Sequence, residues 1–396
     1  MSIQRKINLL FIVPSLQRAG AETGVVNLLN GLDNTIFRKY LFTFDKGLDQ
    51  YDRLDHNYIN FFNQCRRYKF DPAPVLRIAG LIDTEGIDVI HCTLQFSLLL
   101  GWLARRISKC KPALVATIHT TLNQSVKEEL QDRFIYQWIL RRCADVTFVC
   151  EKQRSYWLKR FPSLDKNSRV IYNGVNTEYF SPINAGEQGR KLRKKVNIPD
   201  DAAVIACVAG FREEKGHEDL VRAFASIENR NNTYLLLAGD GETKKEIEAL
   251  VADRGLQICV RFLGVQQDVR PIFAAADLSV LASTAVETFS NSMLESMSMG
   301  KPVLATNLGG LSEAIIPGET GYLVEPGRPD ELARAIMCVL SDRDRARRMG
   351  EAARRLVLRK FTLKKMLERK AEALQTVYNK KYQSRIVHSY ENSLRK

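Results

Sequence analysis

From Ile7 onward, short apolar runs alternate with stretches of helical period. That rhythm predicts parallel sheets covered by helices on both faces. In the first half the runs predict strands at Ile7–Val13, Leu41–Phe44, Val89–Ile90, Leu114–Ile118, Val146–Val149 and Val170–Ile171. After the first of these, Val25, Leu28, Leu29 and Leu32 repeat at helical spacing and predict a crossover helix whose start faces the loop Gln17–Gly20. A second series predicts strands at Val204–Val208, Tyr234–Leu237, Ile258–Phe262, Leu278–Leu281, Val303–Ala305 and Tyr322–Val324. Between the series, Ser181–Asp201 (SPINAGEQGRKLRKKVNIPDD) is rich in turn formers and charge and reads as a linker. The expected division is therefore an N-terminal Rossmann-like domain over 1–180, a C-terminal Rossmann-like domain over 181–375, and a helix or tail over 376–396 that packs back on the first domain. Two doubly wound domains are expected to face each other across a cleft, with candidate sites on the loops that follow strands.

Composition narrows the class. The chain has 396 residues, 45% hydrophobic and 26% charged, values that fit a globular protein and exclude a disordered tail protein or a membrane channel. Its formal charge of +14 is uneven: residues 1–180 carry +8, residues 181–327 carry −5 and residues 328–396 carry +11. Eight cysteines stand singly, without the paired spacing of a zinc site or a disulfide framework, so a reduced, cytoplasmic compartment is expected. Met1–Val13 has a basic start and an apolar stretch, but it runs into Pro14 without a small-residue cleavage site and reads as a buried strand.

The most informative segment is Glu287–Glu295 (ETFSNSMLE), with a helix expected to open near Phe289. The amides of Ser290, Asn291 and Ser292 would lie at its start, where a phosphate is favoured by hydrogen bonds and by the helix dipole. If the segment were fully helical, its two carboxylates would be about 12 Å apart along the axis, too far to share a proton but suited to bracketing an elongated ligand. The competing reading of the pair alone is an electrostatic cap and a solvated glutamate.

The neighbouring segments change that balance. AGFREEKG (Ala209–Gly216), LLLAGDGE (Leu235–Glu242) and FLGVQQDV (Phe262–Val269) each follow a predicted strand, and GKPVLATNLGGLSEAI (Gly300–Ile315) comes after the acidic pair. With YNGVNTEYFSP (Tyr172–Pro182), this succession resembles glycosyltransferase family 4, the retaining nucleotide-sugar transferases of the GT-B fold. The resemblance implies that Glu287 holds hydroxyls of the donor sugar and Glu295 the ribose. It further implies that Ser290, Asn291 and Ser292 lie against the diphosphate and that the backbone near Val265 reads the base. Gly239 falls within the same donor-binding set. RAGAE (Arg18–Glu22) resembles the family's Gly-rich loop, with Gly20 close to phosphate, and His119 matches its histidine beside the reacting sugar. Lys215 and Arg212 are the cations expected to meet the departing diphosphate. Here the chain departs from the usual pattern, in which the arginine stands at the place of Gly210; Ala282, Thr288 and Ser290 are further departures.

The resemblance implies transfer of a sugar with retention, from a UDP-sugar in preference to a GDP-sugar, to a glycan or lipid-linked acceptor in cell-surface polysaccharide synthesis. No cofactor or metal is expected: the DxD at Asp342 and Asp344 lies in a basic helical run and reads as a helix start or a solvated face. A nucleotide-sugar epimerase and a basic nucleic-acid-binding protein are the competing functions. The positive charge also suggests peripheral association with the inner, anionic face of a membrane, with Tyr156, Trp157, Lys159, Arg160 and Phe161, or Arg66, Arg67, Tyr68, Lys69 and Phe70, as candidate contacts. Ordinary solvated helix faces would have the same composition.

Overall fold

The computed structural model describes residues 5–119, 126–183, 185–227 and 232–394. Two compact units divide the chain, one formed by Met1–Tyr172 with Lys364–Lys396, the other by Asn173–Leu363. In the first, the strands are β1 (Ile7–Val13), β2 (Phe37–Thr43), β3 (Ile59–Asn63), β4 (Val89–Thr93), β5 (Ala113–Ile118), β6 (Asp145–Phe148) and β7 (Ser168–Val170). Its helices are α1 (Gly20–Gly31), α2 (Ala73–Thr84), α3 (Gln95–Ile107), α4 (Val126–Gln131), α5 (Gln137–Leu140) and α6 (Glu151–Arg160), with a π-turn over Asp132–Tyr136 between α4 and α5.

The second unit holds α7 (Ala185–Lys195), β8 (Ala203–Val208), α8 (His217–Ala225), β9 (Thr233–Ala238), α9 (Lys244–Asp253), β10 (Val260–Gly264), α10 (Arg270–Ala275) and β11 (Leu278–Leu281). It continues with α11 (Asn291–Ser298), β12 (Val303–Thr306), β13 (Gly321–Val324), α12 (Pro329–Leu340) and α13 (Arg343–Lys360). The long α14 (Leu363–Leu394) then returns the chain to the first unit.

Both sheets are parallel and share one winding. The first runs β3-β2-β1-β4-β5-β6-β7 and the second β10-β9-β8-β11-β12-β13. Strand order therefore reverses beside β1 and β4 in one sheet and beside β8 and β11 in the other, and such reversals open the crevice where doubly wound sheets bind ligands. Strands buried on both faces explain the near-continuous apolar runs: Leu9, Leu10, Phe11, Ile12 and Val13 are all buried, as are Ile205, Ala206 and Cys207. Where the second unit begins and ends, its two chain segments are stitched together, with Val175 N donating to Phe361 O (3.0 Å) and Leu363 N to Val175 O (2.8 Å).

Three sequence expectations need correction. Strand β3 was not predicted; it is the sheet's edge, and only Ile59 among its residues is buried. The segment 181–201, read as a linker, contains α7. This helix packs through small residues: a Cβ on Gly189 would stand 2.7 Å from the Ala274 carbonyl carbon, and Arg193 donates to Ala275 O (2.7 Å) and Asp277 (3.1 Å). The aromatic-basic run at 156–161 is not a surface patch, since Trp157 and Phe161 are buried in the first unit's core. Asp342, by contrast, is a helix start: it caps α13 and accepts from Arg345 N (2.8 Å). No helix among the described residues is long and apolar enough to cross a membrane.

Candidate active site

In the second unit the predicted donor-site residues follow the carboxyl ends of β8 to β11, on the loops there and in α11. Lys215 follows β8 and Glu287 follows β11, the two strands beside which the winding reverses. Across that switch point Lys215 Nζ donates to Glu287 Oε2 at 2.9 Å, and Ser283 Oγ donates to the same oxygen at 2.9 Å. Oε1 accepts no hydrogen bond from the described residues, although Glu287 is only 9% exposed. In a largely buried ion pair of this kind, removing the cation would leave a carboxylate mostly out of water.

The surrounding loops fix the pair. Thr284 N donates to Glu214 O (2.9 Å), which ties the loop after β11 to the one after β8. Thr306 Oγ1 donates to Ser283 O (2.6 Å), and Gly310 N to Thr288 O (2.6 Å). Gly309 has φ +50°, and a Cβ there would stand 1.9 Å from the Glu287 carbonyl oxygen, so only glycine lets the loop after β12 close on the acidic one. Asn173 Nδ2 donates to Phe289 O (2.9 Å), while the Phe289 ring packs against Phe361 at 5.1 Å.

Helix α11 opens at Asn291, two residues later than expected, because Ser290 is its N-cap. The Ser290 hydroxyl accepts from Met293 N at 3.3 Å. The segment Glu287–Glu295 is thus a turn followed by a helix, and the amides at the helix start belong to Asn291 and Ser292, with Ser290 serving as their cap. Ser290→Ala is expected to cost about 1 kcal/mol of second-unit stability. Far-UV circular dichroism during urea denaturation checks this; tryptophan fluorescence does not, because Trp102, Trp138 and Trp157 all lie in the first unit.

The other predicted residues are more dispersed. Arg212 is half-exposed and pairs with Glu214 at 3.1 Å, so it does not join the Lys215–Glu287 contact. Glu295 sits on α11, partly buried, and Val265 is exposed just after β10. Gly239 lies after β9 at φ +144°; a Cβ there would stand 2.0 Å from the Ala209 carbonyl oxygen, so glycine here brings the loops after β8 and β9 together. Gly20 and His119 belong to the first unit, the former opening α1 and the latter directly following β5. Burial, reinforced by the charge of Lys370, pushes the His119 imidazole down to about 4, so it is neutral near pH 7.

Sequence reasoning missed three polar groups. Ser283 holds Glu287, as described. His217, next to Lys215 and Gly216, stacks on Phe211 (4.2 Å, 14°). Burial and then the Lys215 charge push it down to about 4, so it adds no charge beside the lysine. In the first unit, Lys370 from α14 donates to Thr117 Oγ1 (2.8 Å), which also bonds His91 Nε2 (2.9 Å). The KGH tripeptide was the available signal for His217; nothing near Lys370 in sequence announces its partner.

Comparison with known proteins adds an independent line. Residues 188–356 match the family described as glycosyl transferases group 1, and residues 18–179 match glycosyltransferase family 4. The chain is 30% identical over 271 residues to the uncharacterized glycosyltransferase MJ1607 of Methanocaldococcus jannaschii, covering 66% of this chain and 68% of that one. It is 26% identical to the lipopolysaccharide 1,2-N-acetylglucosaminetransferase of Salmonella typhimurium, over 94% of this chain and 97% of that protein. The crystal structure of Anabaena Alr3699/HepE in complex with UDP-glucose superposes with a TM-score of 0.79, at 24% identity, covering 93% of this chain and all of that one. The two-unit parallel α/β architecture is that of GT-B glycosyltransferases.

Proposed function

Since the chain belongs to glycosyltransferase family 4, we propose that it transfers a sugar, with retention of anomeric configuration and without a metal ion, from a UDP-sugar to a glycan or lipid-linked acceptor. The observation that carries this reading is the Lys215–Glu287 pair at the switch point, beside the start of α11. In this reading the Asn291 and Ser292 amides and the Lys215 ammonium meet the diphosphate. Glu287 Oε1 accepts a sugar hydroxyl, and Glu295 accepts from the ribose. Arg212 turns toward the leaving group, Gly239 and the backbone at Val265 border the nucleotide, Gly20 lets the backbone approach phosphate, and His119 stands beside the reacting sugar. As the anomeric carbon–oxygen bond to the diphosphate breaks, the acceptor hydroxyl attacks the same face and gives its proton to the departing phosphate. Negative charge grows on that phosphate, and fixed donors in place before reaction stabilise it without reorganising. The Salmonella relative and the UDP-glucose complex of the Anabaena protein support a UDP-linked donor and a surface-glycan acceptor.

A panel of UDP-, GDP- and ADP-sugars, scored for hydrolysis and for shifts in melting temperature, tests the donor. Binding at a hundredfold excess over Kd stabilises by about 2.7 kcal/mol. A UDP-sugar is expected to give the largest shift and slow hydrolysis that EDTA does not abolish; no response to any member overturns the reading.

A further inference from the structure

The first unit buries a lysine whose charge is poorly met. The Lys370 ammonium, carried by α14, donates to Thr117 Oγ1 of β5 at 2.8 Å, and among the described residues it makes no other hydrogen bond and no ion pair. Asp145, the acid whose charge reaches it, is engaged elsewhere: Arg169 Nε donates to its Oδ1, and Thr147 Oγ1 to its Oδ2 (3.2 Å). Thr117 Oγ1 also bonds His91 Nε2 (2.9 Å), while His91 Nδ1 has no hydrogen-bond partner among the described residues. The void between these groups, which Val115 also lines, is too narrow for a water molecule. A methionine would fill the same space without an ammonium held by a single hydroxyl, so packing does not account for the charge.

Its use lies two residues further along the chain. Residues two apart on an extended strand share a face, so Val115 at the void, Thr117 at the ammonium and His119 directly after β5 form one row. The titratable groups of this cluster are His91 of β4, Asp145 of β6, Arg169 of β7 and Lys370 of α14. After burial itself, the Lys370 charge is what disfavours a proton on both His91 and His119. We propose that Lys370 is a positioning residue for the reaction: its ammonium, set at the Thr117 step of the row, holds the His119 imidazole neutral beside the sugar. The proposal rests on the transferase reading, which puts His119 there. Breaking a glycosidic bond builds oxocarbenium-like positive charge on the sugar ring. An imidazolium beside it would oppose that charge, whereas a neutral imidazole leaves it unopposed and still hydrogen-bonds a hydroxyl.

Proton NMR of the full chain without substrate follows the His119 Cε1 proton, assigned with His119→Gln, between about pH 8 and 5. In the wild type the signal is expected to stay near its neutral position throughout. In Lys370→Met its midpoint should rise by about one pH unit. Lys370→Gln, which removes the charge but still offers Thr117 a hydrogen bond, should move it as far. Lys39→Met removes another buried lysine of the same sheet, one held by the carbonyls of Leu29 and Leu32, and should leave His119 where the wild type has it. In UDP-sugar hydrolysis, the acid limb of kcat should move up with the imidazole in both Lys370 variants. The proposal fails if His119 titrates in the Lys370 variants as in the wild type, or if Lys39→Met moves it equally. It also fails if the imidazole moves and the acid limb does not. None of these results touches the transferase reading, which falls only if the wild type responds to no donor.

Discussion

Lys215→Ala and Glu287→Gln are each expected to lower turnover by about a hundred- to a thousandfold, equivalent to about 3–4 kcal/mol of transition-state stabilisation. The loss should fall on kcat more than on KM for the donor, because the charge that Lys215 meets develops as the diphosphate leaves. The two residues touch at 2.9 Å and share one hydrogen-bonded oxygen with Ser283, so the double variant should lose much less than the sum of the single losses. Arg212→Ala should lose less than Lys215→Ala, since its side chain is half-exposed and held by Glu214. Steady-state kinetics with a matched donor and acceptor check all four proteins. Near-wild-type kcat in both single variants would show that the pair is structural and would separate the switch-point geometry from the chemistry.

A second large effect is expected at Lys370. This residue is fully buried, and burial lowers its ammonium to about 8 from the usual 10.5, opposed by the nearby charge of Asp145. A lysine whose folded value is depressed binds fewer protons folded than unfolded, so the cost of burying its charge is fully present below about pH 8. That cost is relieved as pH rises from the folded value toward the unfolded one. The relief amounts to about 3 kcal/mol across that window. Lys370→Met should therefore be more stable than the wild type at pH 7, and the difference should shrink between pH 8 and 10.5. Tryptophan fluorescence during urea denaturation reports the first unit alone and lets the other lysines and tyrosines cancel in the comparison. Parallel pH profiles for the two proteins would mean that Thr117 and Asp145 compensate the ammonium fully.

The strands that ran through the centre of each sheet were legible because burial on both faces makes them continuously apolar: β1 and β11 begin and end where the pattern placed them. Strand β3 escaped because an edge strand half in solvent keeps polar residues such as Asn60 and Asn63. Helix α7 escaped for the opposite reason, since its contact with α10 is made by Gly189 and the carbonyls that Arg193 meets, features that no hydrophobic period records. The site divides in the same way. Its loops could be found because each follows a strand, whereas the pairing of Lys215 with Glu287, 72 residues apart, arises only from the order in which β8 and β11 lie side by side. Trp157 and Phe161 show the limit of composition: cations and aromatics together looked like surface, but the rings lie inside and the arginine covers them.

The return of α14 to the first unit has a consequence during synthesis. A ribosome emits seven strands of that unit early, yet the helix that supplies Lys370 to Thr117 emerges only after all of Asn173–Leu363 has been translated. The second unit can close as one continuous stretch while the nascent first unit waits for its last piece, and a premature stop between Leu363 and Lys370 would take the buried lysine and the packing residues after it from the half made first.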